Sequence, residues 1–305
     1  MSVPPAAVVG DRYRTLDVAV RGGTLHAAVW EPVGGASAPA TVVAVHGITS
    51  SHLAWSWLAA LLPDVRLVAP DLRGRARSRD LPGPYGMPTH AEDVAAVMDA
   101  VGVQDAVVVG HSMGAFVALV LADRHPERVR SLVLVDGGMP LDPPPGVSAE
   151  QMSHLVLGPA AERLRMTFPD RAAYRRFWRD HPAFAAVWDR GVEAYVDYDL
   201  CGHEPGLRPA TTVAALEEDI RELVDGDSLL TALRRLRHDT TWLVAPRGLL
   251  DEVPPLYPSA AREKWTAEHP GVRLAEVPDV NHYTIVMSDA GARAVEPVLR
   301  EALAR

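Results

Sequence analysis

One cysteine and one lysine are all that this chain holds of either residue. With Cys201 alone, no internal disulfide can close, and no cysteine cluster can hold a metal. Lys264 leaves arginine to supply nearly all of the positive charge, a skew of composition rather than of chemistry. Positive charge is also short overall: 30 Lys and Arg stand against 39 Asp and Glu, a formal charge of −9. No basic run reads as a phosphate-tracking surface, which argues against a nucleic-acid partner. No stretch of about eighteen apolar residues offers a membrane span. The opening Met1-Ser2-Val3-Pro4-Pro5 lacks the basic and apolar regions of a signal peptide, so the expectation is a soluble, cytoplasmic protein. What is present is ordinary globular composition, 48% hydrophobic and 23% charged. Its 305 residues suffice for one large α/β domain with an insertion, or for two small domains.

The most informative stretch is Val107-Val108-Val109-Gly110-His111-Ser112-Met113-Gly114-Ala115. An apolar, β-branched run reads as a buried strand, and small and apolar residues at helical spacing follow it. Between them Gly-His-Ser-Met-Gly fits G-x-S-x-G, the sharp strand-to-helix turn that carries a nucleophilic serine. Gly110 and Gly114 leave room where that turn brings backbone segments together. Ser112 then stands at a helix N-terminus, whose N–H groups face a developing negative charge.

Around this turn the chain alternates. Residues 13–20 and 24–31 read as a hairpin joined by Arg21-Gly22-Gly23. Apolar runs at 41–45, 66–69, 105–110 and 131–135 read as buried strands. Helices are expected from Trp55 to Leu62 and over 89–101, the latter with Thr89 as N-cap. The pattern predicts a mainly parallel sheet with helices on both faces, whose ligands sit beyond the carboxyl ends of the strands. His46, Asp71, Ser112 and Asp136 all fall at such ends. Residues 137–238 then hold no convincing strand. They open on Pro140, Pro143, Pro144 and Pro145 and give helical stretches at roughly 148–166, 170–180, 182–199, 211–224 and 227–237. An insertion of this length is no plain loop. It reads as a lid over the serine, leaving residues 1–136 and 239–305 as the core. Strands resume at 241–245 and 272–277, and a last helix spans about 289–304.

A serine hydroxyl needs a base, usually histidine. His282 lies in a turn-like segment after the 272–277 strand and can return to the sheet edge. His111 reads as packing, because neighbours on a tight turn point apart, and His46 as a residue that shapes its loop; both also rank as candidates to touch substrate. His154, His181 and His203 fall in the insertion. The third member should be a carboxylate that orients the imidazole. Asp251, after the 241–245 strand, is the first choice and Asp136, after the preceding strand, the rival; Glu252 and Asp279 are less well placed. Of the insertion's aromatics, Trp178 and Trp188 are the candidates for substrate contact.

Together these residues resemble the α/β-hydrolase family, over almost the whole chain. The order Ser112, Asp251, His282 matches the family's Ser…Asp…His order. His46-Gly47-Ile48 resembles the family's oxyanion loop, which implies that the backbone N–H groups of Ile48 and Met113 bind the oxyanion. Asp71-Leu72-Arg73-Gly74-Arg75-Ala76-Arg77-Ser78 looks like the family's D-x-R-G-x-G-x-S turn, departing at Ala76. The insertion point also matches the family's lid, and a few relatives place the acid after the earlier strand. The resemblance implies an acyl-enzyme mechanism with no metal or organic cofactor, acting on an ester, thioester or lactone of a small, fairly hydrophobic molecule. Carbon–carbon bond hydrolases and lyases share the fold, as do non-catalytic relatives that bind small ligands. Aspartate-nucleophile relatives are disfavoured by Ser112. Monomer and homodimer are equally compatible with the sequence.

Overall fold

The computed structural model describes every residue except 1–5, 36–39, 142–145, 147–150, 152–157 and 159. The β-branched runs become strands β1 (Tyr13–Val20), β2 (Gly23–Trp30), β3 (Thr41–Val45), β4 (Arg66–Pro70), β5 (Ala106–His111) and β6 (Val129–Val135). A two-residue ribbon, β7 (Leu200–Cys201) with β8 (Arg208–Pro209), precedes β9 (Asp239–Val244) and β10 (Val272–Glu276). One eight-stranded sheet runs in the order β1-β2-β4-β3-β5-β6-β9-β10. The pairs β1/β2 and β2/β4 are antiparallel, and every pair from β4 to β10 is parallel. The α/β class with a mainly parallel sheet is therefore as expected.

Period-2 geometry explains why the central strands are apolar throughout. Val43, Val45 and Val108 enter one core layer; Val42, Ala44, Val107 and Val109 enter the other. Helices α1 (Ser56–Leu61), α2 (Met87–Ala100) and α3 (Met113–Arg124) follow β3, β4 and β5. The first ten residues of α3 are all buried, which is why its sequence carries no polar stripe.

Two local expectations change. The hairpin register pairs Val20 with Gly23, leaving only Arg21 and Gly22 in the turn. Gly22, at φ +89, supplies the positive φ that a two-residue hairpin loop needs. Helix α2 starts at Met87, not beyond Thr89. Pro88 sits in its first turn, where a missing N–H removes no intrahelical bond.

The segment from 137 to 238 carries helices α4 (Arg171–Arg179), α5 (Arg190–Tyr198), α6 (Val213–Ile220) and α7 (Asp227–Arg234). Asp170, Asp189 and Thr212 accept the capping N–H groups of Ala173, Val192 and Ala215. The expected 182–199 helix is shortened because Pro182–Phe184 form a separate 3-10 turn and the Asp189 cap restarts the chain. The β7/β8 ribbon corrects the expectation that this segment lacks strands. Pro143, Pro144, Pro145, His154 and much of the expected 148–166 helix lie outside the described residues. Helices α8 (Ser259–Glu268) and α9 (Asp289–Leu303) complete the core. Among the described residues no helix is long and apolar enough to cross a membrane.

Candidate active site

β5 ends at His111 and α3 begins at Met113, so the chain reverses direction around Ser112 alone. Ser112 has φ +53 and ψ −126, a conformation that L-residues rarely hold without surrounding constraint. Close backbone approach supplies the constraint. A Cβ on Gly114 would lie 2.0 Å from the Val45 carbonyl oxygen, and one on Gly110 would lie 2.2 Å from that of Gly114. The Ser112 N–H also donates to the Val135 carbonyl at 2.9 Å, tying the turn to the end of β6.

The turn aims the serine hydroxyl at His282. Ser112 Oγ lies 3.0 Å from His282 Nε2, and His282 Nδ1 lies 2.7 Å from Asp136 Oδ2. The imidazole and the Asp136 carboxylate are both almost fully buried. With Nδ1–H donating to Asp136, Nε2 is left to accept the Ser112 proton. The other Asp136 oxygen accepts the Ala245 N–H at 3.0 Å, so the carboxylate is held at both ends. His282 is fixed through its backbone as well: its N–H donates to the Arg247 carbonyl, and its carbonyl accepts the His111 Nε2–H at 2.7 Å.

Asp136, not Asp251, is therefore the carboxylate bonded to His282. Asp136 directly follows β6, the strand beside β5, and its φ of +44 turns it at once toward the site. Asp251 lies seven residues beyond β9 in a loop that swings outward, its side chain 39% exposed. There it accepts bonds from Arg247 Nε and Asn281 Nδ2. Burial pushes its carboxyl up, and these two donors more than offset that, leaving it below its ordinary value.

Ile48 lines the cleft above Ser112, and Met113 opens α3, where an N–H has no intrahelical acceptor. His46 does not reach the cleft. Its Nε2 accepts the Leu72 N–H, so its Nδ1–H donates to the Gly47 carbonyl, at 2.7 Å. That carbonyl also accepts the Ser50 N–H. Holding the Gly47 carbonyl fixes the trans peptide whose N–H belongs to Ile48. Burial drives the His46 pKa down to about 4, which keeps the ring neutral and able to serve both partners. His111 borders the cleft and is likewise held well below its ordinary value, chiefly by burial.

The two tryptophans singled out from the sequence are not among the cleft residues. Trp178 is buried in an aromatic cluster with Tyr174, Phe177 and Phe184, under the Arg163 guanidinium. Trp188 is half-buried beneath Arg179. Both tryptophans pack against arginines, Trp178 on a helix and Trp188 in the segment before α5. His181 caps the Pro182 turn and His203 is exposed. The cleft walls instead include Thr49, Ser50, Ala160, Leu249, Tyr283 and Met287. Tyr283, beside His282, and the pair Thr49-Ser50, beside Ile48, were accessible by adjacency; Ala160 and Leu249 arrive only by tertiary folding. The free volume is about 30 Å³, room for roughly one water.

The departure at Ala76 leaves its loop intact. Ala76 takes φ +44, a backbone conformation that favours glycine. Asp71 at the loop's start is fully buried and accepts from His52, the Arg77 N–H and Tyr198 Oη. Burial raises the Asp71 carboxyl, and the neighbouring His52 and these donors bring it well below the usual carboxylate range.

Two outcomes follow for stability. Replacing Gly114 with alanine should cost about 3 kcal/mol by forcing α3 off the Val45 carbonyl, read as a lower urea midpoint. The neutral, buried His46 gives stability that is complete above its unfolded pKa of 6.5 and lost as pH falls toward about 4. That loss should reach about 3 kcal/mol from the 6.5-to-4 shift. Urea unfolding between pH 7 and 4.5 should show a steeper decline for the wild type than for His46→Asn, which keeps a donor near Nδ1 but does not titrate.

Comparison with known proteins agrees with the fold. A profile of the α/β hydrolase fold matches residues 40–223. The 2-hydroxymuconate semialdehyde hydrolase of Pseudomonas sp. is 28% identical over 242 residues, covering 73% of this chain and 74% of that protein. Lipase LipV of Mycobacterium tuberculosis is 41% identical over 108 residues, 35% of this chain and 41% of LipV. A putative carbamate hydrolase, RutD, of Caulobacter sp. is 37% identical over 127 residues, 41% of this chain and 47% of RutD. The chain thus spans less than half the length of these last two relatives. Among solved structures, E-2-(acetamidomethylene)succinate hydrolase superposes with TM-score 0.75 at 22% identity, covering 94% of this chain and 99% of that one. The thioesterase domain of a curacin biosynthetic pathway superposes at 0.73 with 20% identity, covering 94% and 99%. Likeness at these identities speaks for the fold alone. With the profile matching more than half its length, the chain belongs to the α/β-hydrolase fold family.

Proposed function

We propose that the protein is a serine hydrolase that cleaves an ester-type bond of a small, fairly hydrophobic substrate, with Ser112 as nucleophile, His282 as base and Asp136 as the orienting acid. One observation carries this reading: a single imidazole bonded through Nε2 to a strained serine hydroxyl and through Nδ1 to a buried carboxylate. A hydroxyl in that setting loses its proton to His282 as it attacks a carbonyl carbon. The Ile48 and Met113 N–H groups meet the oxyanion that forms, and each such donor is worth ~10²–10³ in rate. His282 then hands the proton to the leaving group, and water, deprotonated by the same ring, releases the acyl group from Ser112. The narrow cleft and the apolar walls at Leu249 and Met287 favour a small apolar acyl part. The helical segment from 137 to 238 acts as a lid in this reading. It has to yield before a substrate can enter a cleft of about 30 Å³.

A second reading, hydrolysis of a carbon–carbon bond next to a carbonyl, draws on the 2-hydroxymuconate semialdehyde hydrolase, whose likeness extends over 73% of this chain. The same serine and histidine serve both reactions. The carboxylester, thioester and lactone versions of the first reading share one acyl-enzyme.

The test is hydrolysis of p-nitrophenyl esters of increasing chain length by the wild type and three variants. Ser112→Ala should abolish turnover, and Asp136→Asn should lower kcat by ~10⁴, the loss expected when an imidazole takes the wrong tautomer. Asp251→Asn should stay within about tenfold of the wild type, since it disturbs a surface bond of limited strength. Turnover of a vinylogous 1,5-diketone with no ester turnover would move the assignment to carbon–carbon cleavage.

A further inference from the structure

The turn after β4 holds a residue that the reaction outlined above does not use. Arg75 is completely buried, and its guanidinium is spent on five neighbours. Nε–H donates to the Ile48 carbonyl at 2.9 Å and Nη1–H to the Arg73 carbonyl at 2.8 Å. Nη2 faces the Met113 sulfur at 3.8 Å, the Ala215 carbonyl at 3.4 Å and Asp219 Oδ2 at 2.5 Å. One side chain therefore touches both residues assigned above as oxyanion donors, Ile48 through its carbonyl and Met113 through its sulfur. Its counter-charge, Asp219 on α6, is itself fixed by the Gly86 N–H and His90 Nε2.

We propose that Arg75 is a positioning residue for the oxyanion-binding backbone, anchored through Asp219 to helix α6. This inference rests on the serine hydrolase reading and deepens it. The Gly47 carbonyl fixes the peptide before the Ile48 Cα, by its bonds from His46 and Ser50. Arg75 fixes the peptide after it. With both peptides held, the Ile48 N–H cannot swing away from the serine. The Met113 side chain is braced by the same guanidinium at the first turn of α3. Geometry of this kind matters to rate because donors must already point at the oxyanion when it forms.

The contact to α6 leaves little slack. A Cβ on Gly74 would lie 2.5 Å from the Ala215 Cβ, and the Thr212 N–H donates to the Gly74 carbonyl. The neighbouring pair Arg73–Asp93 provides a built-in control. It too is buried, with Arg73 donating to both Asp93 oxygens and to the Pro82 carbonyl. The Arg73 side chain bonds to neither Ile48 nor Met113 in the structure.

The experiment measures the rate at which an alkyl fluorophosphonate labels Ser112 in the full chain, together with the melting temperature, for wild type, Arg75→Lys, Arg75→Met and Arg73→Gln. Phosphonylation builds negative charge on the phosphoryl oxygen, so it reads the oxyanion donors without requiring the natural substrate. Arg75→Met should slow labelling by about 10- to 100-fold, in line with a misplaced donor. Arg75→Lys, which keeps the charge but loses the fork, should fall between it and wild type. On ester substrates the loss should appear in kcat with KM little changed. Arg73→Gln should label at close to the wild-type rate even where its melting temperature drops as far. If Arg75→Met does not fold, Arg75→Lys alone decides, by slowing against Arg73→Gln at matched stability. Arg75 variants that label as fast as wild type, or slow no more than Arg73→Gln, overturn the inference alone. A wild type that resists the probe overturns the reading of Ser112 as nucleophile and the inference with it.

Discussion

Backbone pressing on backbone is the constraint on which the rest of this molecule depends. At the end of β5 the chain turns through a single residue, and the first turn of α3 lies against the carbonyl of Val45 at the end of β3. Only glycine at 110 and 114 lets the helix approach so closely, and that approach helps to hold Ser112 at φ +53. The strain is local, but what holds it is not. It needs β3 and β5 as parallel neighbours, a central helix buried along most of its length, and β6 to receive the Ser112 N–H.

Beyond the carboxyl ends of the strands the interior changes character. Polar and charged groups that seldom go under cover are packed there in pairs: Arg73 with Asp93, Arg75 with Asp219, His52 with Asp71, Arg163 with Asp199. Such pairs are poor sources of net stability because desolvation offsets much of their attraction. They are strict about geometry, though, since each oxygen and N–H must find its partner or remain an uncompensated cost. The loops that hold Ser112 beside His282 are instead laced to one another by fixed directional bonds.

Much of this was legible from residue order. The apolar runs give the parallel strands because a strand covered on both faces has no reason to alternate. G-x-S-x-G locates Ser112 because its glycines are steric requirements, and His282 follows from a short loop at the correct edge. What eluded the sequence was the choice between two aspartates. Asp136 and Asp251 both follow parallel strands, and nothing local records that the first turns inward at φ +44 while the second is drawn outward by Arg247 and Asn281. The tryptophans failed for a related reason: a helical aromatic stripe looks the same whether it faces ligand or core. Arg75 stayed hidden because a buried arginine is recognised by its partners, and Ile48, Met113 and Asp219 are scattered across 172 positions of sequence, from 48 to 219.

Seating the carboxylate on β6 has a consequence for how this protein can change over time. The stretch from Glu252 to Leu256 carries no member of the hydrogen-bonded trio, yet it leads directly out of the cleft wall at Leu249. Val253 in its middle is 76% exposed. Glu252 ties this stretch to the wall, its carbonyl accepting the Gly248 N–H and its carboxylate the Leu250 N–H. Substitutions in it can therefore reshape the wall at Leu249 while leaving the bonds among Ser112, His282 and Asp136 in place.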